Sequence, residues 1–204
     1  MSLYSRMILP CVLDWAMSDP ALTRHRQDLL SEVRGETLEI GFGTGLNLPY
    51  YPDRIQNITA IDANAGMSNI AQKRIQLAPI TVDHRVLNGE HLPMADCTFD
   101  SVVSTWTLCS IAKVDLALKE IHRVLKPGGQ FFFVEHGLSP DPKIQVWQHR
   151  LTPLQKVIAD GCHLDRNIQA LIEQEFATVK LEQFQAQGIS QIAGYLYKGM
   201  ATKT

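Results

Sequence analysis

Three glycines at every second position, Gly41, Gly43 and Gly45, follow a short apolar stretch that holds one carboxylate, Thr37-Leu38-Glu39-Ile40. Glycine lets the backbone turn at positive φ and lets a ligand approach the main chain closely. A strand that ends in such a turn is a nucleotide-type cofactor site in an α/β protein. The spacing narrows the ligand. A dinucleotide fingerprint runs G-x-G-x-x-G and sets a pyrophosphate on a helix N-terminus. Here the run is G-x-G-x-G, and Leu46 stands where the third fingerprint glycine would be. Glu39, two positions before the first glycine, repels a pyrophosphate and suits a ligand that carries an ammonium group.

S-adenosylmethionine has that ammonium, a sulfonium charge and no phosphate. The E-x-G-x-G-x-G run resembles the first motif of class I S-adenosylmethionine-dependent methyltransferases. Further along, Asp62 ends a second apolar run about 20 residues after Gly41, where a Rossmann-like sheet sets an acid on the ribose hydroxyls. A carboxylate accepts both hydrogen bonds of a diol. Met67 then faces the adenine edge. The segment Asn88-Gly89-Glu90-His91-Leu92-Pro93-Met94 resembles the family's D-A-E-x-L-P-F, whose acid reaches the adenine amino group. Asn88 takes that place, with an oxygen that still accepts one hydrogen bond, and Gly89 offers its N–H. The run Arg123 to Gly129 with the apolar Phe131-Phe132-Phe133-Val134 is similar to the same enzymes.

Most of the chain resembles the type-11 class of these methyltransferases. Glu135-His136, Trp147-Gln148, Asp160-Gly161-Cys162 and Arg166 resemble more narrowly the methyltransferase-like branch that includes alkyl thiol methyltransferases. The resemblance implies S-adenosyl-L-methionine as cofactor and S-adenosyl-L-homocysteine as product. It implies a cofactor site of Glu39, Gly41, Gly43, Gly45 and Asn47, then Asp62, Ala63 and Met67, then Asn88, Gly89 and Glu90, with Thr105 and Trp106 at the end of a central strand. The acceptor it implies is small and apolar or amphipathic: a thiol, a quinol hydroxyl or a lipid amine. Two alternatives stand beside it. One is a binding protein that holds the cofactor or its product without transfer. The other is a nucleotide-cofactor oxidoreductase, which Glu39 and Leu46 disfavour.

A sulfonium methyl is already activated, so the enzyme's work is positioning and exclusion of water. A neutral acceptor gains from a base. His136, Asp160 and His163 are the candidates in the substrate region, with Asp14 a fourth if the N-terminal segment folds over. The histidines are dispersed, without H-x-x-x-H or H-x-E spacing, and Cys162-His163 are adjacent, so no metal site is expected. Cys109 reads as buried and inert.

These residues need elements to hold them. Apolar runs at Leu38–Ile40, Ile58–Ile61, Val82–Val86, Phe99–Ser104 and Phe131–Val134 alternate with helical patterns. Two final strands follow, Val179–Phe184 and Ile192–Gly199. The expectation is an α/β Rossmann-like fold with a seven-stranded, mostly parallel sheet, a C-terminal antiparallel hairpin and helices on both faces. Residues 1–204 form one domain, with a helical lid over 1–36 and a substrate-region insert over 138–176. Helices are expected over Ala21–Glu32, Ala65–Leu77, Val114–Leu125 and Ile168–Phe176, the third with Leu116, Leu118, Ile121 and Leu125 facing inward. Arg26 is assigned to a polar helix face, and Gly194-Tyr195 to an edge strand.

The 204-residue chain is long enough to bury a sizeable core. A net charge of −2 gives no bulk attraction for nucleic acid or anionic lipid. Four scattered cysteines without a C-x-x-C pair argue for a reducing, cytoplasmic compartment. No apolar run approaches the ~20 residues that span a bilayer, so stable insertion is not expected and only peripheral contact by the N-terminal segment remains.

Overall fold

The computed structural model describes residues 8–204; Met7, at the head of the apolar N-terminal segment, lies outside them. Seven strands form one sheet: β1 Thr37–Ile40, β2 Asn57–Asp62, β3 Thr81–Val86, β4 Phe99–Thr105, β5 Leu125–His136, β6 Thr178–Gln185 and β7 Tyr195–Thr202. The order across the sheet is β3-β2-β1-β4-β5-β7-β6. The first five are parallel, and β7 runs antiparallel to both β5 and β6. The order reverses between β1 and β4, whose carboxyl ends lie side by side. That is the crevice in which open α/β sheets bind ligands.

The helices are α1 Leu9–Met17, α2 Pro20–Leu30, α3 Ser68–Leu77, α4 Val114–Val124, α5 Pro142–Ile158 and α6 Ile168–Glu173. Strand periodicity sorts them into two layers. Val102, Phe131 and Phe133 point to the face covered by α4 and α6. Val103, Phe132 and Val134 point to the face covered by α2 and α3. Successive side chains of a strand alternate sides, so a continuous apolar run such as Phe131 to Val134 is what a strand buried on both faces requires.

Start signals act where the sequence places them. Asp19 and Asp141 cap α2 and α5 by accepting from Ala21 N and Lys143 N, each at 2.8 Å, with Pro20 and Pro142 in the first turn. Three expectations are corrected. Leu116 is 38% exposed, because the stripe that faces the sheet is Val114, Ala117, Leu118, Ile121 and Val124, the i, i+3, i+4 pattern. Strand β5 begins at Leu125 and runs through Lys126–Gly129, where the ladder with β4 shifts register between Phe99 and Ser101. β7 lies inside the sheet and the edge is β6, so the Gly194-Tyr195 alternation marks no edge. The fourth-helix contrast can be measured: Ile121→Ala should cost about 2–5 kcal/mol in denaturant unfolding, and Leu116→Ala no more than about 0.5 kcal/mol.

Candidate active site

Strand β1 delivers the glycine turn to the crevice. Gly41 has φ +74, and its N–H donates to the Ile61 carbonyl at 2.9 Å, tying the turn to β2. A Cβ on Gly41 would lie 1.9 Å from Thr107 Oγ1, so no other residue fits. Gly43 and Gly45 are also at positive φ. At the end of β2, Asp62 holds the turn from the other side. Its Oδ2 accepts from Gly43 N at 2.8 Å and its Oδ1 from Asn64 N at 2.7 Å. Each oxygen keeps a lone pair for a hydroxyl. Burial raises the Asp62 carboxyl above the usual range, against the pull of these two N–H groups.

Glu39 is 1% exposed and stands behind the cavity wall rather than on it. Its Oε1 accepts from Asn47 Nδ2 at 2.9 Å and its Oε2 from Tyr51 OH at 2.6 Å. Burial pushes its pKa up to about 7 despite both bonds and the nearby Arg26 charge. Asn47 is the intermediary. Its Nδ2 also donates to Thr105 Oγ1 at 3.1 Å, while its Oδ1 is buried with no partner. A buried acceptor left unpaired in a residue of the cavity wall calls for a partner that the chain itself does not supply.

A cavity of about 680 Å³ opens on this wall. Of the expected cofactor residues, the three glycines' turn contributes Gly41 and Gly43, and Asn47, Asp62, Ala63, Met67, Asn88, Gly89, Glu90, Thr105 and Trp106 all line it; Gly45 and Glu39 do not. Asn88 Oδ1 already accepts from Glu90 N at 3.0 Å, and Glu90 Oε1 from Lys113 N at 3.0 Å. The Asn88 side chain therefore shapes the loop as well as facing the cavity.

Arg26 corrects the expectation of a polar helix face. It is 3% exposed and lines the cavity. Its guanidinium lies 4.6 Å from the Trp106 ring centroid, and its Nη1 donates to the Met17 carbonyl at 2.8 Å. Trp106 itself sits at φ +51, held by a 2.8 Å bond from its N–H to Val134 O. Burial lowers the Arg26 pKa to about 10, so the cation persists at neutral pH. A single buried arginine at this spot had one signal in the sequence, its i+4 spacing from the buried Leu22.

Helix α1 forms another wall, with Leu13, Asp14 and Met17 on the cavity. Asp14 accepts from Thr44 Oγ1 at 2.6 Å and from Arg74 Nη1 and Nη2 at 2.6 and 3.1 Å. Burial works to raise its carboxyl, but the Arg74 and Thr44 hydrogen bonds hold it below the ordinary range. As a fully engaged anion it clamps α1 to the glycine turn.

The expected bases separate. Asp160 is an exposed residue at φ +47 whose Oδ2 accepts from Asn64 Nδ2 at 3.1 Å, on the Asp62 side of the cavity. His163 is off the cavity, with its N–H and Nδ1 at 2.9 and 3.1 Å from the Cys109 carbonyl. His136, at the end of β5, lines the cavity with Nε2 2.9 Å from Cys162 Sγ. Cys109 completes this group: the ligand atoms of Cys109, His136 and Cys162 all lie within 4.8 Å of one another. Chain spacing could not reveal it, because the three come from the loop after β4, the end of β5 and the loop after α5.

The open sheet with its glycine turn after β1 and acid after β2 defines a Rossmann-like methyltransferase fold. A family described as a methyltransferase domain matches residues 38–133. The rat protein named thiol S-methyltransferase TMT1B is 39% identical over 150 residues, 71% of this chain and 61% of its own length. The human protein of the same name is 32% identical over 178 residues, 81% of this chain and 72% of its own. Among solved structures, the N-methyltransferase NodS of Bradyrhizobium japonicum, in complex with S-adenosyl-l-homocysteine, superposes with a TM-score of 0.68 at 18% identity over 93% of this chain and 91% of that one. The chain belongs to the class I S-adenosylmethionine-dependent methyltransferases.

The α1 clamp is testable. A lowered Asp14 pKa means the ion pair is intact above the unfolded carboxylate value and is lost as pH falls through the folded one. Asp14→Asn should accelerate amide exchange across Leu9–Met17 at neutral pH while leaving β1 protected; equal exchange in both proteins would show that the clamp holds nothing.

Proposed function

We propose that the chain transfers the methyl group of S-adenosylmethionine to the sulfur of a small apolar thiol. One observation carries the reading: a single cavity joins the glycine turn to the Cys109, His136 and Cys162 group. The names of the mammalian relatives agree with it.

In this reading the methionyl end of the cofactor lies against β1 and β4. Its ammonium meets the unpartnered Asn47 Oδ1, with the Glu39 charge behind, and its carboxylate meets Arg26. Arginine suits a carboxylate because its planar fork donates two parallel hydrogen bonds. Asp62 takes the ribose hydroxyls, and Met67, Asn88 and Gly89 flank the adenine. α1 is a lid over this end, clamped through Asp14. The acceptor enters beside Ile111 and Leu164, apolar positions of the cavity wall. It meets the sulfonium methyl at the cysteine and histidine group, where its proton is surrendered. Of the expected bases, His136 belongs to that group, while Asp160 belongs to the ribose end. The thiolate, not the thiol, is the nucleophile, so the proton must leave before attack.

Labelled S-adenosylmethionine with alkyl thiols, hydroquinones and amino-lipids tests the acceptor class. Methylation confined to the thiols is expected. Transfer to a hydroquinone or amine alone, or tight cofactor binding with no transfer to any, would sink the thiol reading. Asn47→Ala and Arg26→Ala should each weaken calorimetric binding of S-adenosylhomocysteine by about tenfold to a hundredfold, the range for hydrogen bonds to charged groups. Cofactor affinity should also fall as pH is lowered through about 7, because protonation of Glu39 removes the charge behind the ammonium. Glu39→Gln should flatten that dependence.

A further inference from the structure

The Cys109, His136 and Cys162 group uses two sulfurs and one ring nitrogen drawn from three separate elements. The backbone is shaped to bring them together. Asp160 at φ +47 and Gly161 at φ +95 turn the chain after α5 sharply back toward the β4 loop. A Cβ on Gly161 would stand 2.9 Å from the Ser110 carbonyl, so only glycine allows this approach. His163 N–H then bonds the Cys109 carbonyl at 2.9 Å, and the Arg166 guanidinium bonds the neighbouring Leu108 carbonyl. Cys162 is pinned between Cys109, His136 Nε2 at 2.9 Å and the Gln155 amide at 3.8 Å. His136 Nδ1 is buried without a hydrogen-bond partner.

We infer that Cys109, His136 and Cys162 hold a zinc ion whose fourth position takes the acceptor thiol. Two thiolates and one imidazole are a soft donor set that zinc favours, and three protein ligands with one open position is the pattern of catalytic zinc. Tetrahedral zinc at about 2.3 Å from sulfur and about 2.0 Å from nitrogen sets its ligand atoms roughly 3.5–3.8 Å apart. The three atoms here lie within 4.8 Å of one another, and the His136 Nε2–Cys162 Sγ pair, hydrogen-bonded at 2.9 Å, opens by roughly 0.6 Å to admit the ion. The open position faces the cavity that all three residues line.

The inference rests on the thiol reading above and supplies its deprotonation. An acceptor thiol displaces water from the metal and its proton goes to solvent, since metal coordination favours the thiolate. A lone pair of the bound sulfur forms the new S–C bond as the C–S bond of the sulfonium breaks. The electron pair of that bond stays on the cofactor sulfur, giving S-adenosylhomocysteine. The product is a neutral thioether, a far weaker ligand than the thiolate, and it leaves to be replaced by water.

The test uses the full chain loaded with cobalt(II) in place of zinc, since cobalt reports its ligands optically. About one cobalt per chain is expected, with a sulfur-to-cobalt charge-transfer band that Cys109→Ser and Cys162→Ser each weaken and the double variant removes, while S-adenosylhomocysteine binding is retained. Adding an alkyl thiol should change the visible cobalt spectrum. Chelation should abolish thiol methylation, and zinc should restore it. Absence of the band in the wild-type protein, a spectrum indifferent to thiols, or full thiol methylation after chelation would each overturn the metal site. A thiol-responsive band with no methylation of any thiol would instead leave the site standing and remove the thiol methyltransferase reading.

Discussion

A carboxylate fully withdrawn from water sits at the centre of this structure. Glu39 lies in the middle of the sheet, and isolated burial of such a charge is costly unless its oxygens are satisfied. Asn47 and Tyr51 satisfy them, and both come from the chain just beyond the glycine turn. The requirement therefore dictates the path of that chain: it must leave β1, turn through three glycines and return over the strand it came from. Asn47 is fixed further by Thr105 at the end of β4. One buried charge thus couples the turn, the short 3-10 helix Leu48–Tyr50 beyond it and two central strands, and it sets a negative field at the floor of the cavity that Arg26 partly offsets.

The remaining geometry follows from topology. Parallel β1 and β4 are neighbours whose connections leave in opposite directions, so a crevice opens above their carboxyl ends. Everything delivered by a strand end arrives there: the turn from β1, Asp62 from β2, Thr105 and Trp106 from β4, His136 from β5. The two helical layers are not equivalent in this respect. α2 carries Arg26 into the crevice, and α1 is drawn over it by Asp14, whereas α4 and α6 serve the opposite face of the sheet.

The sheet and its antiparallel end were legible in the sequence, and so was the gathering of most of the expected cofactor residues on one cavity, for local reasons. A run such as Phe131 to Val134, short, aromatic and preceded by Gly128-Gly129, reads as a doubly buried strand, and glycines at alternate positions after a strand supply the positive φ of a tight turn. What escaped were properties of packing. Leu116 and Leu118 look alike in composition, and only the phase of the helix against the sheet separates them. Arg26 looks like a solvent-facing helical cation until α1 and Trp106 enclose it. Glu39 reads as a residue open to the cavity, and only the return of Asn47 and Tyr51 places it behind the wall. Cys109, His136 and Cys162 carry no mutual spacing, because their proximity is created by the sheet and by the Asp160-Gly161 turn.

The position of β7 has a consequence for synthesis. It fills the slot between β5 and β6, pairing with both. β5 carries three consecutive buried phenylalanines, Phe131 to Phe133, and one side of its ladder has no partner until Tyr195–Thr202 leaves the ribosome. An open, aromatic strand edge is the usual template for association between chains. The nascent protein thus carries an open aromatic edge through the whole of α5, α6 and β6, and β7 is what closes it.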